Sequence, residues 1–119
     1  MKEVKAFIRA QKAEEVLDAL EELGVSDITL LDVMGIGQHM ADPHESKYSI
    51  KIVKKYADLA KVEIVCKAEN VERVVETIRK TGYTGRKGDG MIYVSPVETV
   101  VKIRTGARDD EALDCCSPE

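Results

Sequence analysis

The sequence predicts an α+β domain in which two helices cover one face of an antiparallel β-sheet. Two segments carry apolar residues at helical spacing, and each is flanked by segments in which apolar and polar residues alternate. The length of 119 residues fits one domain. The content of 44% hydrophobic residues supplies material for one core and argues against disorder of the chain as a whole, and the 34% of charged residues predicts high solubility.

The first half of the chain is predicted to fold as strand, helix, strand. Residues 2–9 alternate between apolar and polar side chains, which is typical of a short strand. A helix follows from about Lys12 to Leu23, and Gly24 is placed to end it. Residues 27–35 form the second predicted strand.

A long irregular segment separates the two halves. From Gly37 to about Asp58 the periodicity breaks down into mixed polar residues. Loops of this length in a small domain are usually functional or mobile. Residues 47–56 contain alternating apolar residues, so part of the segment could extend the flanking strands as a hairpin.

The second half repeats the pattern of the first. A strand at 59–67 precedes the clearest helix, at 70–81, and a segment with four glycines at 81–90 reads as a loop. Strands are predicted at 91–95 and at 97–104, followed by a turn and a polar tail. The order β-α-β, long loop, β-α-β predicts the ferredoxin-like βαββαβ sandwich.

Charge and composition exclude several functions. The net charge of -4 argues against a nucleic-acid or anionic-membrane surface, and the single Phe leaves no aromatic platform for RNA. No apolar run approaches the roughly 18 residues that span a bilayer, and the N-terminus has no cleavage site. We therefore expect a cytoplasmic protein that does not insert into membranes. An enzyme of the acylphosphatase kind needs an Arg and an Asn in an early loop, but Asn70 at a helix start is the only Asn.

Two clusters of potential metal or redox residues have simpler interpretations. His39, Asp42, His44 and Glu45 could bind a metal, but solvated loop residues explain them as well, and no metal site is predicted. The adjacent Cys115 and Cys116 could link subunits or respond to redox state, although free thiols on a frayed terminus are the favoured interpretation.

Three segments could bind a ligand. Gly35 and Gly37 permit close backbone approach, although an ordinary strand-end turn would also explain them. Residues 84–90 could form an anion-binding concavity of backbone N–H groups, or a flexible hairpin. Lys102 and Arg104 would share one face of the last predicted strand, where either a phosphate chain or solvent would satisfy their charges.

Four blocks together resemble the PII signal-transduction protein family over roughly residues 1–113. The blocks are G-V-S-D-I-T-L-L-D-V-M-G-I-G (24–37), K-V-E-I-V (61–65), T-G-R-K-G-D-G-M-I-Y-V (84–94) and V-V-K-I-R-T-G (100–106). The motifs T-G-x-x-G-D-G-x-I-x-V and R-T-G at this separation are specific to that family. The resemblance implies a homotrimeric, non-enzymatic regulator that requires no cofactor and binds ADP, AMP or ATP in clefts between subunits.

The resemblance also implies which residues contact the nucleotide. Thr29, Glu63 and Val65 would face the adenine, and the backbone of the G-D-G sequence would hold phosphate. The complete implied set is Thr29, Gly35, Ile36, Gly37, Gln38, Glu63, Val65, Gly88, Asp89, Gly90, Met91, Lys102 and Arg104. The family's T-loop, which docks on target proteins, corresponds to about 38–58, and its B-loop to about 82–90. Residues 114–119 form a cysteine-containing tail.

The chain departs from the classical family pattern where cations and an amide are expected. His39 stands where classical members have Gln, Leu59 and Met91 where they have Lys, and Lys102 where they have Arg. His39 and Leu59 are the positions that would meet a second effector. The departures predict a nonclassical PII-like member that binds ADP or AMP at least as well as ATP and senses 2-oxoglutarate poorly.

Three alternatives stay open. The chain could be a regulator of inorganic-carbon metabolism that senses bicarbonate together with ADP or AMP, or a classical nitrogen-status PII protein. Outside this class, it could be a trimeric ferredoxin-like interaction protein that binds no nucleotide.

Overall fold

Four strands and two long helices follow one another in the described part of the chain as β-α-β-β-α-β. The computed structural model describes residues 1–25, 27–36 and 56–113. The elements are β1 (Lys2–Arg9), α1 (Ala13–Leu23), β2 (Thr29–Ile36), β3 (Tyr56–Cys66), α2 (Val71–Gly82), β4 (Ile92–Pro96) and a short helix, α3 (Asp110–Leu113).

The strands form one antiparallel sheet in the order β2-β3-β1-β4. Val4 in the central strand β1 pairs with Ile64 on one side and with Val94 on the other. This order, with both long helices packed on one face, confirms the predicted ferredoxin-like sandwich. The two edges of the sheet are therefore β2 and β4, which matters for the site described below.

The core lies between the helices and one face of the sheet. Alternate residues of β1 and β3 point toward the helices, and the helices return apolar stripes at i, i+3 and i+4. The fully buried side chains are Val4, Val16, Leu20, Val62, Ile64, Val74 and Ile78. Each such side chain contributes about 1.5–3 kcal/mol when it leaves water, so the aliphatic core suffices without Trp.

Helix α1 ends where the sequence predicts. Gly24 has φ = +99°, and its N–H donates to the carbonyl of Glu21 at 3.0 Å, while the N–H of Val25 donates to the carbonyl of Leu20 at 3.0 Å. This left-handed cap is the conformation that glycine adopts most readily.

The predicted strand at 97–104 is wrong. The segment turns back on itself: the N–H of Lys102 donates to the carbonyl of Ala107 at 2.9 Å, and that of Asp109 to the carbonyl of Val100 at 2.8 Å. Alternation at 97–104 indicates an extended backbone but says nothing about a partner, and here the backbone groups pair locally around Gly106. We call residues 100–109 the C-terminal turn.

Two further boundaries differ from the sequence-based expectation. β3 begins at Tyr56, within the segment assigned to the long loop, and pairs there with Ile36 at the end of β2. The polar tail contains the helix α3, whose Ala112 and Leu113 are buried. The sequence did not predict α3, because two apolar residues at the end of a polar run are too short a pattern to indicate a helix.

Candidate functional site

The carboxylate of Asp89 organises the glycine-rich loop between α2 and β4, residues 84–90, which we call the glycine loop. It accepts hydrogen bonds from the backbone N–H of Thr84 at 2.9 Å and of Gly85 at 3.0 Å. The hydroxyl of Thr84 donates a third bond to the same carboxylate. One side chain thus closes the loop upon itself.

Arg9, the last residue of β1, fastens the glycine loop to the sheet. Its Nε donates to Asp89 Oδ1 at 2.9 Å and its Nη2 to the carbonyl of Lys87 at 2.7 Å. The Arg9 and Asp89 side chains are only 18% and 24% exposed. Sequence reasoning missed Arg9, because a basic residue at a strand end gives no signal of a partner 80 residues away.

Asp89 remains ionised under ordinary conditions. Partial burial acts to raise the pKa of its carboxyl, but the hydrogen bonds from Thr84, Arg9 and Gly85 outweigh burial and hold the pKa well below its usual range. The negative charge of Asp89 is therefore matched by the guanidinium of Arg9.

Gly90 must be glycine because of a backbone contact. Its φ is +93°, and a Cβ at this position would lie 1.7 Å from the carbonyl oxygen of Phe7 in β1. The close approach aligns Met91, whose carbonyl accepts the N–H of Phe7 at 2.8 Å. The loop backbone is thus pressed against the end of the central strand, and β4 begins in register from there.

The outer side of the glycine loop is suited to an anion. Within residues 1–25, 27–36 and 56–113, nothing accepts a hydrogen bond from the backbone N–H groups of Lys87, Gly88 or Gly90. Gly88 has φ = +98°, and the side chains of Arg86 and Lys87 are exposed beside it. Free N–H groups in a glycine-rich bend with cations nearby form an anion-binding concavity.

The positions expected to face an adenine lie on the helix-free face of the sheet. Thr29 in β2 is the Cα partner of Glu63 in β3, and Lys5 in β1 lies opposite Glu63 on its other side. A hydrogen bond from Lys61, 2.7 Å from Glu63, lowers the pKa of the Glu63 carboxyl. Val65 follows on the same face, half-buried.

The other predicted residues divide between the two edges of the sheet. Gly35 and Ile36 end the edge strand β2, whereas Gly88, Asp89, Gly90 and Met91 lead into the opposite edge strand, β4. Three strand spacings separate these edges, which is roughly 14 Å. The residues with shared roles are therefore not brought into a single cluster within one chain.

The two cations and the effector position have different surroundings. Lys102 is half-buried at the start of the C-terminal turn, and Arg104 is exposed in its bend, so the shared strand face expected for them is wrong. Leu59 in β3 is 5% exposed, with Arg9 and Val33 as its Cα partners. An apolar, buried residue there offers no charge to a dicarboxylate.

Several predicted residues lie outside the described part of the chain. They are Gly37, Gln38, His39, the metal-site alternatives Asp42, His44 and Glu45, and the tail with Cys115 and Cys116. Among the residues that are described, no group of three or more His, Cys, Asp or Glu side chains is arranged to bind a metal ion. Within the same residues, no helix has both the length and the apolar character needed to cross a membrane.

Comparisons with known proteins place a chain with this fold and this glycine loop in one family. The family model described as nitrogen regulatory protein P-II matches residues 1–107. The chain belongs to the nitrogen regulatory protein P-II family, whose members are signal-transduction regulators.

Individual relatives match over almost their whole length. The nitrogen regulatory protein P-II of Azospirillum brasilense is 39% identical over 114 residues, covering 95% of this chain and all of the relative. Nitrogen regulatory protein P-II 2 of Methanothermobacter thermautotrophicus is 41% identical over 116 residues, covering 95% of this chain and 97% of the relative. The crystal structure of Arabidopsis thaliana PII bound to citrate is 34% identical, with a TM-score of 0.76, and the match covers 93% of this chain and 90% of that one.

Proposed function

We propose that this PII-family regulator binds an adenine nucleotide in a cleft between two copies of the chain, within a homotrimer, and controls a target protein through its T-loop at about 38–58. The observation that carries the proposal is the glycine loop, where the N–H groups of Lys87, Gly88 and Gly90 are free to bind phosphate. The positive charge of Arg9 offsets the negative charge of Asp89, so the carboxylate does not repel a bound phosphate as an unpaired carboxylate would.

The separation of the two sheet edges supports a site that includes a second copy of the chain. Thr29 lies on the β2 edge, whereas Gly88, Asp89 and Gly90 lead into the β4 edge, roughly 14 Å away across the sheet, so these residues of one chain do not surround a small ligand. If the β2 edge of one copy faces the glycine loop and the C-terminal turn of another, both sets of residues can contact one nucleotide.

Exposed apolar side chains are consistent with such contacts. Leu31 and Tyr93 are 42% and 51% exposed on the helix-free face of the sheet, and Ile103 at the bend of the C-terminal turn is fully exposed. A small domain gains stability by covering residues of this kind in an oligomer.

The side chains near the glycine loop favour a nucleotide with few phosphates. Met91 is 64% exposed and uncharged, and Leu59 is apolar and buried, at positions where a triphosphate or a dicarboxylate would be held by cations. Each missing charge-assisted hydrogen bond forgoes about 1.5–3 kcal/mol. We therefore propose that ADP or AMP binds at least as well as ATP, and that 2-oxoglutarate adds little.

Calorimetry of the purified chain tests this function. We expect ADP and AMP to bind with dissociation constants on the order of micromolar, at least as tightly as Mg-ATP. Each titration is repeated with 2-oxoglutarate and with bicarbonate. Absence of binding by every adenine nucleotide would refute the nucleotide site. Strong synergy between Mg-ATP and 2-oxoglutarate would instead show a classical member, and synergy of bicarbonate with ADP or AMP would identify the second effector.

A pair of arginine variants tests the role of the C-terminal turn. We expect Arg104→Ala to weaken ADP binding roughly 10- to 100-fold, because a guanidinium–phosphate bond contributes about 1.5–3 kcal/mol. Arg108→Ala removes another exposed arginine of the same turn and should leave ADP binding within about 2-fold, because an exposed charge that does not contact the ligand contributes little. Equal losses in both variants would indicate a general charge effect rather than contact by Arg104.

A further inference from the structure

We propose that Arg9 is a positioning residue of the nucleotide site: it holds the glycine loop in its anion-binding shape and matches the charge of Asp89. The inference rests on the proposed function, since it concerns how well the loop accepts phosphate. Arg9 belongs to β1 and was not among the residues that the sequence indicated for this site.

The geometry gives Arg9 control over two points of the loop at once. Its Nε and Nη2 reach Asp89 Oδ1 and the carbonyl of Lys87, at 2.9 and 2.7 Å. The C=O of Lys87 and the N–H of Gly88 belong to one planar trans peptide and point in opposite directions, so a carbonyl held by Arg9 leaves the N–H of Gly88 directed away from Arg9. The planar fork of arginine can make both bonds together, whereas the single ammonium of a lysine cannot do so with the same geometry.

Charge gives Arg9 a second effect on phosphate. Asp89 lies between Gly88 and Gly90, whose free N–H groups form the concavity, so its carboxylate is close to any bound anion. With Arg9 present, the two charges of the ion pair largely cancel at the position of an anion bound to these N–H groups. Without Arg9, the unmatched carboxylate would repel the phosphates, and the repulsion would grow with the charge of the ligand.

This role differs from simple support of the fold in its dependence on ligand charge. A merely structural contribution would weaken ADP and adenosine alike, because both need the same folded cleft. The positioning role predicts that the affinity for ADP falls, whereas the affinity for adenosine, which has no phosphate, does not change.

The experiment measures binding of ADP and adenosine by calorimetry to the wild-type chain and to the variants Arg9→Gln and Arg9→Lys. Arg73→Gln is the matched control, because it removes an exposed arginine of α2 whose side chain donates to Asn70, away from the glycine loop in sequence. Circular dichroism at each condition establishes that a variant is folded. If Arg9→Gln does not fold, the comparison of Arg9→Lys with wild type carries the test.

We expect Arg9→Gln to raise the dissociation constant of ADP at least about 10-fold while changing that of adenosine less than about 2-fold, since charge-assisted contacts and not stacking are disturbed. Arg9→Lys should fall between wild type and Arg9→Gln. ADP binding by Arg9→Gln and Arg9→Lys equal to wild type, or equal loss of ADP and adenosine, would overturn the inference while leaving the proposed function standing. A wild-type chain that binds no nucleotide would overturn both.

Discussion

Gly90→Ala is expected to destabilise the protein by more than about 3 kcal/mol, a large fraction of the total stability of a small domain. The new Cβ would lie 1.7 Å from the carbonyl oxygen of Phe7, and backbone atoms of a central strand cannot move aside as a flexible side chain can. The φ of +93° adds strain of its own for an L-residue. Urea denaturation at one fixed protein concentration, followed by circular dichroism, measures the loss.

Gly106→Ala supplies the matched control for this prediction. Gly106 also has a positive φ, +73°, but a Cβ there would have no neighbour within 4 Å. Gly106→Ala should therefore lower the free energy of unfolding only by the backbone strain, about 1–2 kcal/mol. Similar losses at both positions would show that the contact between Gly90 and Phe7 does not limit the fold.

The periodicity of the sequence predicted the layers of the fold because burial on one face imposes it. Val4, Ala6 and Ile8 alternate because β1 has helices on one side only, and the i, i+3, i+4 stripe of α2 faces the same core. Gly24 was predictable as a helix end, because its left-handed conformation is a local requirement. The same reasoning failed at 97–104, where alternation was present but the backbone turns back and pairs locally within residues 100–109.

The candidate site was predictable only in its local part. The glycines at 85, 88 and 90 indicated a turning loop, and the structure adds the reason for the last of them, the contact with Phe7. The pairing of Arg9 with Asp89 joins positions 80 residues apart, and no periodicity encodes it. The placement of Thr29 and of the glycine loop at opposite sheet edges likewise follows from strand order, which spacing along the chain does not determine.

Asp89→Asn is expected to destabilise the protein by about 2–4 kcal/mol at neutral pH, because hydrogen bonds to a charged group contribute more than neutral ones and Arg9 loses its counter-ion. One oxygen of the present carboxylate would become an amide NH₂, which would face the N–H groups of Thr84 and Gly85 or the guanidinium of Arg9 as a second donor. Urea denaturation of both proteins at pH 7 measures the difference, with Asp18→Asn on the exposed side of α1 as a control that should change stability by less than about 0.5 kcal/mol.

The pH dependence of this difference separates the charge of Asp89 from its shape. Because the pKa of Asp89 in the folded protein lies below the ordinary value of about 3.9, its ionised form stabilises the fold, and this contribution is complete above that ordinary value. As the pH falls below about 4, the unfolded chain takes up the proton first, so the advantage of wild type over Asp89→Asn shrinks steadily. A difference that stays constant from pH 7 down to pH 3 would mean that the carboxylate acts through its shape alone. A difference that narrows would show that its charge, matched by Arg9, holds the glycine loop in place.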